Sequence, residues 1–219
     1  MKSQKYEKLI SGLFFWFYPD GSVYEPLSET LILADLHVGK IAHFRKNGIA
    51  IPTELNENIA RIKQALERQN VQSLIIAGDL FHGTWNTECE IFTSELKSIK
   101  GDSKVTLVLG NHDQRTSILN LPSWLIIQPR ASINDRIEIC HDPEDANLDK
   151  FTFCGHLHPG FKLHGKAKQS HILPSFWLSN KLCVLPAFGS FTGKWHQGAV
   201  GFNILVCTPE GVFEIKNKR

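Results

Sequence analysis

The stretch that decides the fold is TLILADLH at residues 30–37, in which a short apolar run ends in an aspartate and a histidine. Four later runs end in a similar way: SLIIAGD at Asp79, VTLVLGN at Asn111, RIEICH at His141 and FTFCGH at His156. A short apolar run that ends at a polar residue is typical of a buried strand. Because the carboxyl ends of strands in an α/β sheet open into one crevice, we expect these polar side chains to converge there.

Two of the run ends carry a pair of polar residues separated by one position, Asp35 with His37 and His156 with His158. In an extended segment, alternate side chains point to the same side of the chain. We therefore expect each pair to face a single cluster of ligands, while the intervening Leu36 points away.

The residue types at these run ends are typical of a metal centre. Carboxylate, amide and imidazole groups without a thiolate suit manganese, iron or zinc in five- or six-coordinate geometry, with a position left open for water. Two cations roughly 3.5–4 Å apart can share a carboxylate, generate a hydroxide nucleophile and hold the oxygens of a phosphoryl group. The candidate ligands are Asp35, His37, Asp79, Asn111, His141, His156 and His158.

Each candidate ligand has an ordinary structural explanation when it is taken alone. A strand-end aspartate is most often a cap or turn residue, and a histidine on an apolar flank is most often a core residue with satisfied hydrogen bonds. The GNHD block alone could form an asparagine-rich turn. Five such blocks in this order along one chain are too improbable as a coincidence, so together they predict a metal centre.

The order of the apolar patterns predicts a layered α/β protein. The clearest helix spans residues 53–69, and a second helix spans 88–100 with Ile91 among its apolar positions. Strands alternate with these helices in the first half, where Leu9–Tyr18 is expected to form one aromatic strand, and strands dominate the second half. Such an order favours a mixed sheet or a pair of sheets at the centre. The length predicts a single domain spanning residues 1–219.

Composition and charge limit the class of protein. A formal net charge of +2 does not by itself indicate a nucleic-acid or membrane partner. No apolar run approaches the roughly 18 residues that a membrane span requires, so no membrane anchor is expected. The five cysteines form no CxxC pair, and their odd number favours reduced thiols and a cytoplasmic protein.

The five blocks resemble the signature of the calcineurin-like metallophosphoesterases, and the match spans most of the chain. The resemblance implies a four-layer αββα sandwich with the metal site at one edge of two paired sheets. It also implies a division of the ligands between two cations. The first cation would be held by Asp35, His37 and His158, the second by Asn111, His141 and His156, and Asp79 would bridge them.

The same resemblance makes His112 the catalytic histidine. The leaving alkoxide of a phosphodiester needs a proton or a positive partner, so His112 is the expected general acid. In many phosphatases of the superfamily, another aspartate lies three positions after the bridging aspartate, whereas here that residue is His82. This GDLFH form is similar to that of the double-strand-break-repair nucleases. We expect His82 to orient His112 or to contact phosphate; the alternative is a rim histidine without either role.

A closer resemblance is to the bacterial ligase-associated DNA-damage-response endonucleases, the PdeM family. It is carried by the blocks DLHVGK, FRKNGIAIP, GDLFH, GHLHPG, LPSFWLS and LPAFGSFTG, although no role for the last follows from its residues. The resemblance implies a manganese-dependent DNA endonuclease in DNA repair, with two divalent ions per chain and iron or zinc as alternatives. It further implies DNA as a partner and a functional association with an ATP-dependent DNA ligase, a helicase and an exonuclease.

Basic residues flank two of the metal-competent blocks. Lys40 and Arg45 follow the DLH block, and His164 follows the GHLH block. These side chains could line a groove that tracks phosphates, and they are the candidate substrate-binding residues. The alternative is a solvated basic face, which is common on soluble proteins.

Two features near the predicted site are expected to be exposed. The segment 155–170 is rich in glycine, histidine and lysine, so we expect it to run over the rim as a surface loop. Trp85, just past GDLFH, and Trp195, just past the FTG segment, are the tryptophans that could stack on a base. Core packing is the safer expectation for every tryptophan except Trp85.

Three functions are compatible with the residues. The leading hypothesis is a metal-dependent DNA endonuclease. A phosphodiesterase or pyrophosphatase acting on a small nucleotide or lipid-linked substrate is the alternative, because fold and metal site alone do not select the substrate. A non-catalytic scaffold is a third possibility, which the intact ligand set argues against. No GxSxG or Cys/His signature supports a covalent nucleophile.

Overall fold

The computed structural model describes residues 4–40, 55–116, 121–147, 149–165, 169–190 and 192–215. Within these ranges the α-helices are α1 Leu55–Arg68 and α2 Thr87–Ile99. The strands of the first sheet are β1 Tyr6–Ile10, β2 Leu13–Phe17, β3 Val23–Glu25, β4 Thr30–Leu33, β5 Ser73–Ala77, β6 Lys104–Val108 and β7 Leu125–Gln128. Those of the second sheet are β8 Ala131–Ile133, β9 Ile137–Ile139, β10 Phe151–Cys154, β11 Gly160–His164, β12 Ser170–Leu178, β13 Leu182–Val184, β14 Asn203–Thr208 and β15 Gly211–Ile215.

The first sheet contains β1 to β7 in sequence order. Strands β1 to β4 are antiparallel neighbours, whereas β4 to β7 run parallel. Parallel neighbours need crossover connections. Helix α1 lies between β4 and β5 in the chain, and α2 lies between β5 and β6. The carboxyl ends of β4, β5 and β6 therefore lie side by side at one edge.

The second sheet has the strand order β15-β14-β12-β13-β10-β9-β8, and β11 extends it by pairing with β12. Strands β9, β10 and β13 are parallel neighbours, and the remaining pairs are antiparallel. The carboxyl ends of β9, β10 and β13 therefore also share one edge. Both sheets are mixed, which confirms the predicted pair of mixed sheets.

Aromatic side chains fill the space between the two sheets. Phe15 and Phe17 of β2 and Phe153 and Phe176 of the second sheet are all 0% exposed. The ring centroids of Phe15 and Phe153 are 4.9 Å apart, and those of Phe17 and Phe176 are 5.1 Å apart. Burying such a side chain contributes about 1.5–3 kcal/mol. These contacts across the interface hold the two sheets together as a sandwich.

The outer face of the first sheet packs against both helices. Ile62 of α1 and Phe92 and Leu96 of α2 are 0% exposed and share a core cluster with the strands of this sheet. Helix α2 begins after Asn86, whose side-chain oxygen accepts hydrogen bonds from two backbone N–H groups of the first turn. Trp177 belongs to a smaller cluster on the second sheet, and that cluster contains no residue of either described helix.

Two local predictions from the sequence are wrong. The stretch Leu9–Tyr18 is not one strand, because Ser11 and Gly12 adopt φ angles of 50° and 81° and form a two-residue hairpin turn between β1 and β2. Ile91 of α2 is 46% exposed, so it lies off the apolar face on which the periodicity placed it. Both predicted helices are present, although the predicted start of the first at residue 53 lies outside the described residues.

Part of the segment 155–170, which was expected to run over the rim as a surface loop, is a regular strand. Its middle forms β11, which pairs antiparallel with the first half of β12 in a two-stranded arm. Most of β11 is half-exposed or exposed, so no regular alternation of apolar and polar residues marks it in the sequence.

The cysteines agree with the expectation from composition. All five cysteines are buried and unpaired, as expected for reduced thiols that pack as small apolar residues. In the part of the chain that the structure describes, no helix has the length and apolar character needed to cross a bilayer.

Candidate metal centre

The metal-competent residues lie where parallel strands of both sheets end. Asp35, Asp79 and Asn111 follow β4, β5 and β6 of the first sheet. His141 and His156 follow β9 and β10 of the second sheet. The five run ends meet at one edge of the sandwich, as expected for strands that share a carboxyl edge.

The first ligand group consists of Asp35, His37 and His158, whose donor atoms all lie within 4.8 Å of one another. Nε2 of His37 is 3.2 Å from Nε2 of His158. Nε2 of His158 is 3.3 Å from Oδ1 of Asp35. Two donors that each bind one cation at about 2.1 Å, at angles of about 90–110°, are separated by roughly 3.0–3.4 Å. The spacing of the first group therefore fits one cation.

The second ligand group consists of Asp79, His141 and His156, again within 4.8 Å of one another. Nε2 of His141 lies 3.2 Å from Nδ1 of His156 and 3.5 Å from Oδ1 of Asp79. Nδ1 of His141 lies 3.0 Å from the carbonyl oxygen of Ala77. This contact favours the tautomer in which Nδ1–H donates to Ala77, which leaves Nε2 free to bind a cation.

Asp79 connects the two ligand groups. Its Oδ1 faces His141 in the second group, and its Oδ2 lies 3.7 Å from Nε2 of His37 in the first group. The backbone N–H of His112 donates a hydrogen bond of 2.9 Å to Oδ1, and Asp79 is only 2% exposed. One carboxylate oxygen directed toward each group is the arrangement that a bridging ligand requires.

The backbone at the ligands is left-handed, so the extended geometry predicted for the two ligand pairs is wrong. The φ angles are 54° at Asp35, 52° at His37, 49° at Asp79, 70° at His156 and 47° at His158. Each non-glycine residue in this region costs about 1–3 kcal/mol and persists only where neighbouring structure enforces it. Here the N–H of His37 donates to the carbonyl oxygen of Asp79 at 2.9 Å, which ties two of these loops together.

Glycines precede three of the ligands and leave room for them. A Cβ on Gly78 would lie 2.0 Å from Nδ1 of His141, and a Cβ on Gly155 would lie 2.5 Å from Oδ2 of Asp35. A Cβ on Gly110 would likewise lie 2.3 Å from Oδ1 of Asp79. A larger residue at any of these positions would displace a ligand side chain.

His82 and His112 lie beside the first ligand group. The donor atoms of His37, His82 and His112 are all within 4.8 Å of one another. The rings of His82 and His112 are stacked, with centroids 4.5 Å apart and planes inclined by 25°. Nε2 of His112 is 3.9 Å from Oδ2 of Asp79, and the His112 side chain is 33% exposed. Solvent or a substrate can therefore reach His112 while it remains next to Asp79.

Asp113, which the sequence analysis did not single out, joins two of the ligand loops. Its Oδ1 accepts a hydrogen bond of 2.9 Å from the N–H of Phe81, and its Oδ2 accepts one of 3.0 Å from the N–H of Gly110. Asp113 is 1% exposed. Burial raises the pKa of this carboxyl to about 6, against the opposing effect of the backbone hydrogen bonds. Its place at the end of GNHD is the signal that could have identified it.

The pKa values of the buried ligands diverge. Burial lowers the pKa of His37 to about 3, so its imidazole is neutral and ready to bind a cation. Burial would also lower the pKa of His141, but the hydrogen bond to Asp79 and the charges of Asp35 and Asp79 outweigh burial and raise it to about 9. Burial would raise the pKa of Asp79, yet His141 and the N–H of His112 lower it to about 2.

Asn111 lies at the rim of the site beside the second ligand group. It is exposed, and together with His141 it lines a cavity of about 250 Å³. Gln114, Arg130 and Asp142 form other parts of the cavity wall. The position of Asn111 next to His141 is compatible with an amide ligand that completes the second group.

Of the three candidate substrate-binding residues, Lys40 and His164 lie in the part of the chain that the structure describes. Lys40 is half-buried, and its backbone N–H lies 3.3 Å from the carbonyl oxygen of His37. Arg45 lies outside the described residues. His164 is exposed at the end of β11, which places it roughly 13 Å along the strand from Gly160. Contact between His164 and a distant part of a long substrate stays a prediction.

Of the two tryptophans near the site, Trp195 is exposed, contrary to the core packing expected for it. Trp85 is half-buried and packs on Phe81, with ring centroids 5.2 Å apart. Trp195 is 56% exposed, and its backbone N–H donates a hydrogen bond of 2.9 Å to the carbonyl oxygen of His158. The segment around Trp195 has no regular periodicity, so its exposure could not be derived from the local pattern.

A comparison with known families identifies the class of protein. The family described as calcineurin-like phosphoesterase matches residues 29–166, a span that contains every candidate ligand. The chain therefore belongs to the calcineurin-like phosphoesterase family. Its fold and its two groups of aspartate and histidine ligands agree with this assignment.

Solved structures support the fold. The nuclease MPE of Pseudomonas putida matches with a TM-score of 0.80 and 23% identity, covering 97% of this chain and 100% of that chain. At this identity the match shows that the two proteins share a fold over nearly their whole lengths. Wild-type Vps29 of Entamoeba histolytica, complexed with zinc, matches with a TM-score of 0.36 and 14% identity, covering 80% of this chain and 84% of that chain; this likeness supports no inference. No curated protein sequence matches significantly.

Proposed function

We propose that this phosphoesterase is a DNA endonuclease that hydrolyses internal phosphodiesters with the help of two divalent cations. The observation that carries the proposal is the meeting of two ligand groups at Asp79, with the exposed His112 beside them. The nuclease activity named for the Pseudomonas putida protein of the same fold supports a polynucleotide substrate. The resemblance of the sequence blocks extends the proposal to DNA repair, alongside an ATP-dependent DNA ligase, a helicase and an exonuclease.

The protein's donor atoms fit a pair of cations. One cation would be held by Asp35, His37 and His158, and the other by Asn111, His141 and His156, with Asp79 shared between them. When bound, such a pair polarises the phosphoryl oxygens and generates a nucleophile from water at neutral pH. The combination of carboxylate oxygen and imidazole nitrogen suits manganese, which we propose as the physiological metal, with iron or zinc as alternatives.

His112 is positioned to protonate the leaving group. Its ring is partly exposed, and its Nε2 lies 3.9 Å from the bridging carboxylate of Asp79. A substrate phosphate placed over the ligands would bring its leaving oxygen within reach of this ring, which can donate a proton to the departing alkoxide. His82 stacks against His112 and limits the rotation of its ring. His112 therefore acts as the general acid, and His82 as a positioning residue.

The surroundings of the site suit a long polyanion. The side chains of His112 and His156 are each 33% exposed, so the site is accessible from the surface. A polymer can therefore lie across it. Lys162 and Lys194 are exposed near the GHLHPG block, and a Cβ on Gly160 would lie 3.0 Å from Cβ of Lys194. Cations at such positions bind phosphates on either side of the scissile bond.

A comparison of three substrates tests the proposed function. Purified protein is incubated with Mn²⁺ and supercoiled plasmid, with bis(p-nitrophenyl) phosphate, or with p-nitrophenyl phosphate. We expect plasmid nicking and diester hydrolysis, with little hydrolysis of the monoester. The reason is that a diester carries one negative charge where a monoester carries nearly two, and few cationic side chains lie among the described ligands. Asp79→Ala controls for contaminating nucleases.

Salt dependence separates DNA binding from the chemical step. Nicking should fall steeply as salt rises, because binding a polyanion releases counterions, whereas hydrolysis of the small diester should change little. Metal-dependent turnover of small esters, without metal-dependent cutting of plasmid or single-stranded DNA, would contradict the nuclease proposal. That result would favour a phosphodiesterase acting on a small nucleotide or lipid-linked substrate.

A further inference from the structure

The segment LPAFGSFTG at residues 185–193 lies against the loop that carries the first ligand pair. It follows β13, the parallel neighbour of β10. The N–H of Phe188 donates a hydrogen bond of 2.8 Å to the carbonyl oxygen of Ala34, and the N–H of Gly189 donates one of 3.1 Å to the carbonyl oxygen of Asp35. These hydrogen bonds connect the residues after β13 of the second sheet to the residues after β4 of the first sheet.

Gly189 is the point of closest approach. A Cβ at this position would lie 2.4 Å from the carbonyl oxygen of Leu36 and 3.1 Å from that of Asp35. Both obstacles are backbone atoms, which cannot move aside by rotating a side chain. The contact therefore requires glycine, because any side chain would push the loop that carries Asp35 and His37 away.

Trp195, two residues beyond this segment, is hydrogen-bonded to another ligand loop. The N–H of Trp195 donates to the carbonyl oxygen of His158 at 2.9 Å, and the N–H of Gly160 donates to the carbonyl oxygen of Trp195 at 2.7 Å. Phe188, Gly189 and Trp195 therefore form backbone hydrogen bonds with the loops that carry Asp35 and His158. These two ligands come from different sheets, and their donor atoms are 3.3 Å apart in the first ligand group.

Arg61 and Thr192 hold the segment in place. The guanidinium of Arg61 donates hydrogen bonds to the carbonyl oxygens of Phe188 and Asp20, and it stacks over the Phe188 ring at 4.4 Å from the centroid. The hydroxyl of Thr192, which is 8% exposed, donates a hydrogen bond of 2.8 Å to the carbonyl oxygen of Gly189. Arg61 of α1 and the hydroxyl of Thr192 therefore fix the position of the segment. A fixed segment can resist displacement of the ligand loops.

We propose that a backing segment, whose contacts are made by Phe188, Gly189, Thr192 and Trp195, sets the affinity of the first ligand group for its cation, with Gly189 as the positioning residue. The backing segment contributes no ligand atom among its described residues. It holds the left-handed loop of Asp35 and His37 at a fixed distance from His158. The inference rests on the proposed function in one respect, namely that the first group binds a metal ion.

The test is a titration of metal-free protein with Mn²⁺, in which free Mn²⁺ is counted by electron paramagnetic resonance. Gly189→Ala should weaken one of two sites by roughly 10–100-fold, as expected when support for a ligand is lost, and leave the other unchanged. Gly193→Ala is the matched control, because a Cβ there meets nothing within 4 Å. Thr192→Val, which loses only the hydrogen bond to Gly189, should weaken the same site by about 3–10-fold.

The outcomes distinguish this inference from the proposed function. Two manganese ions bound with wild-type affinities by folded Gly189→Ala would overturn the inference alone. If Gly189→Ala does not fold by circular dichroism, Thr192→Val decides, and wild-type affinity at both of its sites would overturn the inference. Equal weakening of both sites would mean a general structural defect and would also overturn it. Wild-type protein that binds no manganese would defeat the proposed function as well.

Discussion

The imidazole rings of His82 and His112 stack with their centroids 4.5 Å apart and their planes 25° apart. A stacked contact of this kind restrains the orientation of a ring without using its nitrogen atoms. His112 is therefore restrained by His82 through a ring face, while its Nε2 lies 3.9 Å from Oδ2 of Asp79. The relationship favours the first of the two roles expected for His82, that of orienting His112.

Replacing His82 can separate stacking from direct contact with phosphate. We predict that His82→Phe retains most of the diester hydrolysis, because a phenyl ring can stack on His112. His82→Ala should lower kcat by about 3–10-fold, which corresponds to the energy of a stacked pair. Steady-state kinetics with bis(p-nitrophenyl) phosphate measure both variants. Equal losses in the two variants would indicate instead that the reaction requires a nitrogen of His82, whose Nδ1 lies 3.4 Å from Nδ1 of His37.

His112 should matter for the reaction more than for metal binding. We predict that His112→Ala keeps both manganese ions but lowers turnover by roughly 10²–10⁴-fold, the usual contribution of a general acid. The backbone N–H that binds Asp79 is retained in this variant, so the bridging carboxylate keeps its hydrogen bond. Elemental analysis and diester kinetics are measured on the same sample. Wild-type turnover would rule out a catalytic role.

Asp79 should be required for both metal occupancy and activity. Its two oxygens face different ligand groups, so Asp79→Ala removes a donor from each. We predict that the variant loses bound metal by elemental analysis and loses diester hydrolysis with it. Asp102→Ala is the matched control, since Asp102 is exposed in the turn after α2. Two metals per chain in Asp79→Ala would show that the carboxylate is not a bridge.

Metal binding at the second ligand group should depend on pH. The pKa of His141 is raised to about 9, so below that pH a cation must displace a proton from this ligand. We predict that the affinity of one site for Mn²⁺ rises by about tenfold per pH unit between pH 6.5 and 8.5. His37, whose pKa is lowered, has no proton to release in this range. Titrations at three pH values measure the slope, and a flat profile at both sites contradicts the prediction.

Removing the metals should lower the thermal stability of the protein. Each cation that binds only the folded state, present at about a thousandfold excess over its Kd, stabilises it by about 4 kcal/mol. For a protein of this size, that corresponds to a decrease in Tm of roughly 8–16 °C for each cation removed by chelation. Differential scanning calorimetry with and without EDTA tests this expectation. Asp79→Ala should show almost no change in Tm on addition of EDTA. An unchanged Tm of the wild-type protein would argue against bound cations.

The strands and the ligand positions could be predicted because their signals are local. Each apolar run that ends at a polar residue reports burial and a change of environment at the same place, as at Asp35, Asp79 and His156. The order of strands and helices then restricts the topology, since parallel strands require crossovers. These features need no knowledge of contacts between distant parts of the chain.

The backbone conformation of the site could not be predicted, because distant contacts impose it. The left-handed angles at Asp35 and His37 oppose the intrinsic preference of these residues. They are accompanied by hydrogen bonds such as that from the N–H of His37 to the carbonyl oxygen of Asp79, 42 positions later in the sequence. The role of Gly189 could not be predicted for the same reason, since the atoms that it approaches are backbone atoms, which every residue has. The glycine itself is the sole sign of this close contact in the sequence.

The most direct test is to follow diester hydrolysis while manganese is added back to metal-free protein. The rate of bis(p-nitrophenyl) phosphate hydrolysis is measured against the number of ions bound per chain. We predict that activity appears only as the second ion binds and that it is maximal at two per chain, with no activity in Asp79→Ala. Full activity in EDTA, or maximal activity at one ion per chain, would contradict the two-metal phosphodiesterase.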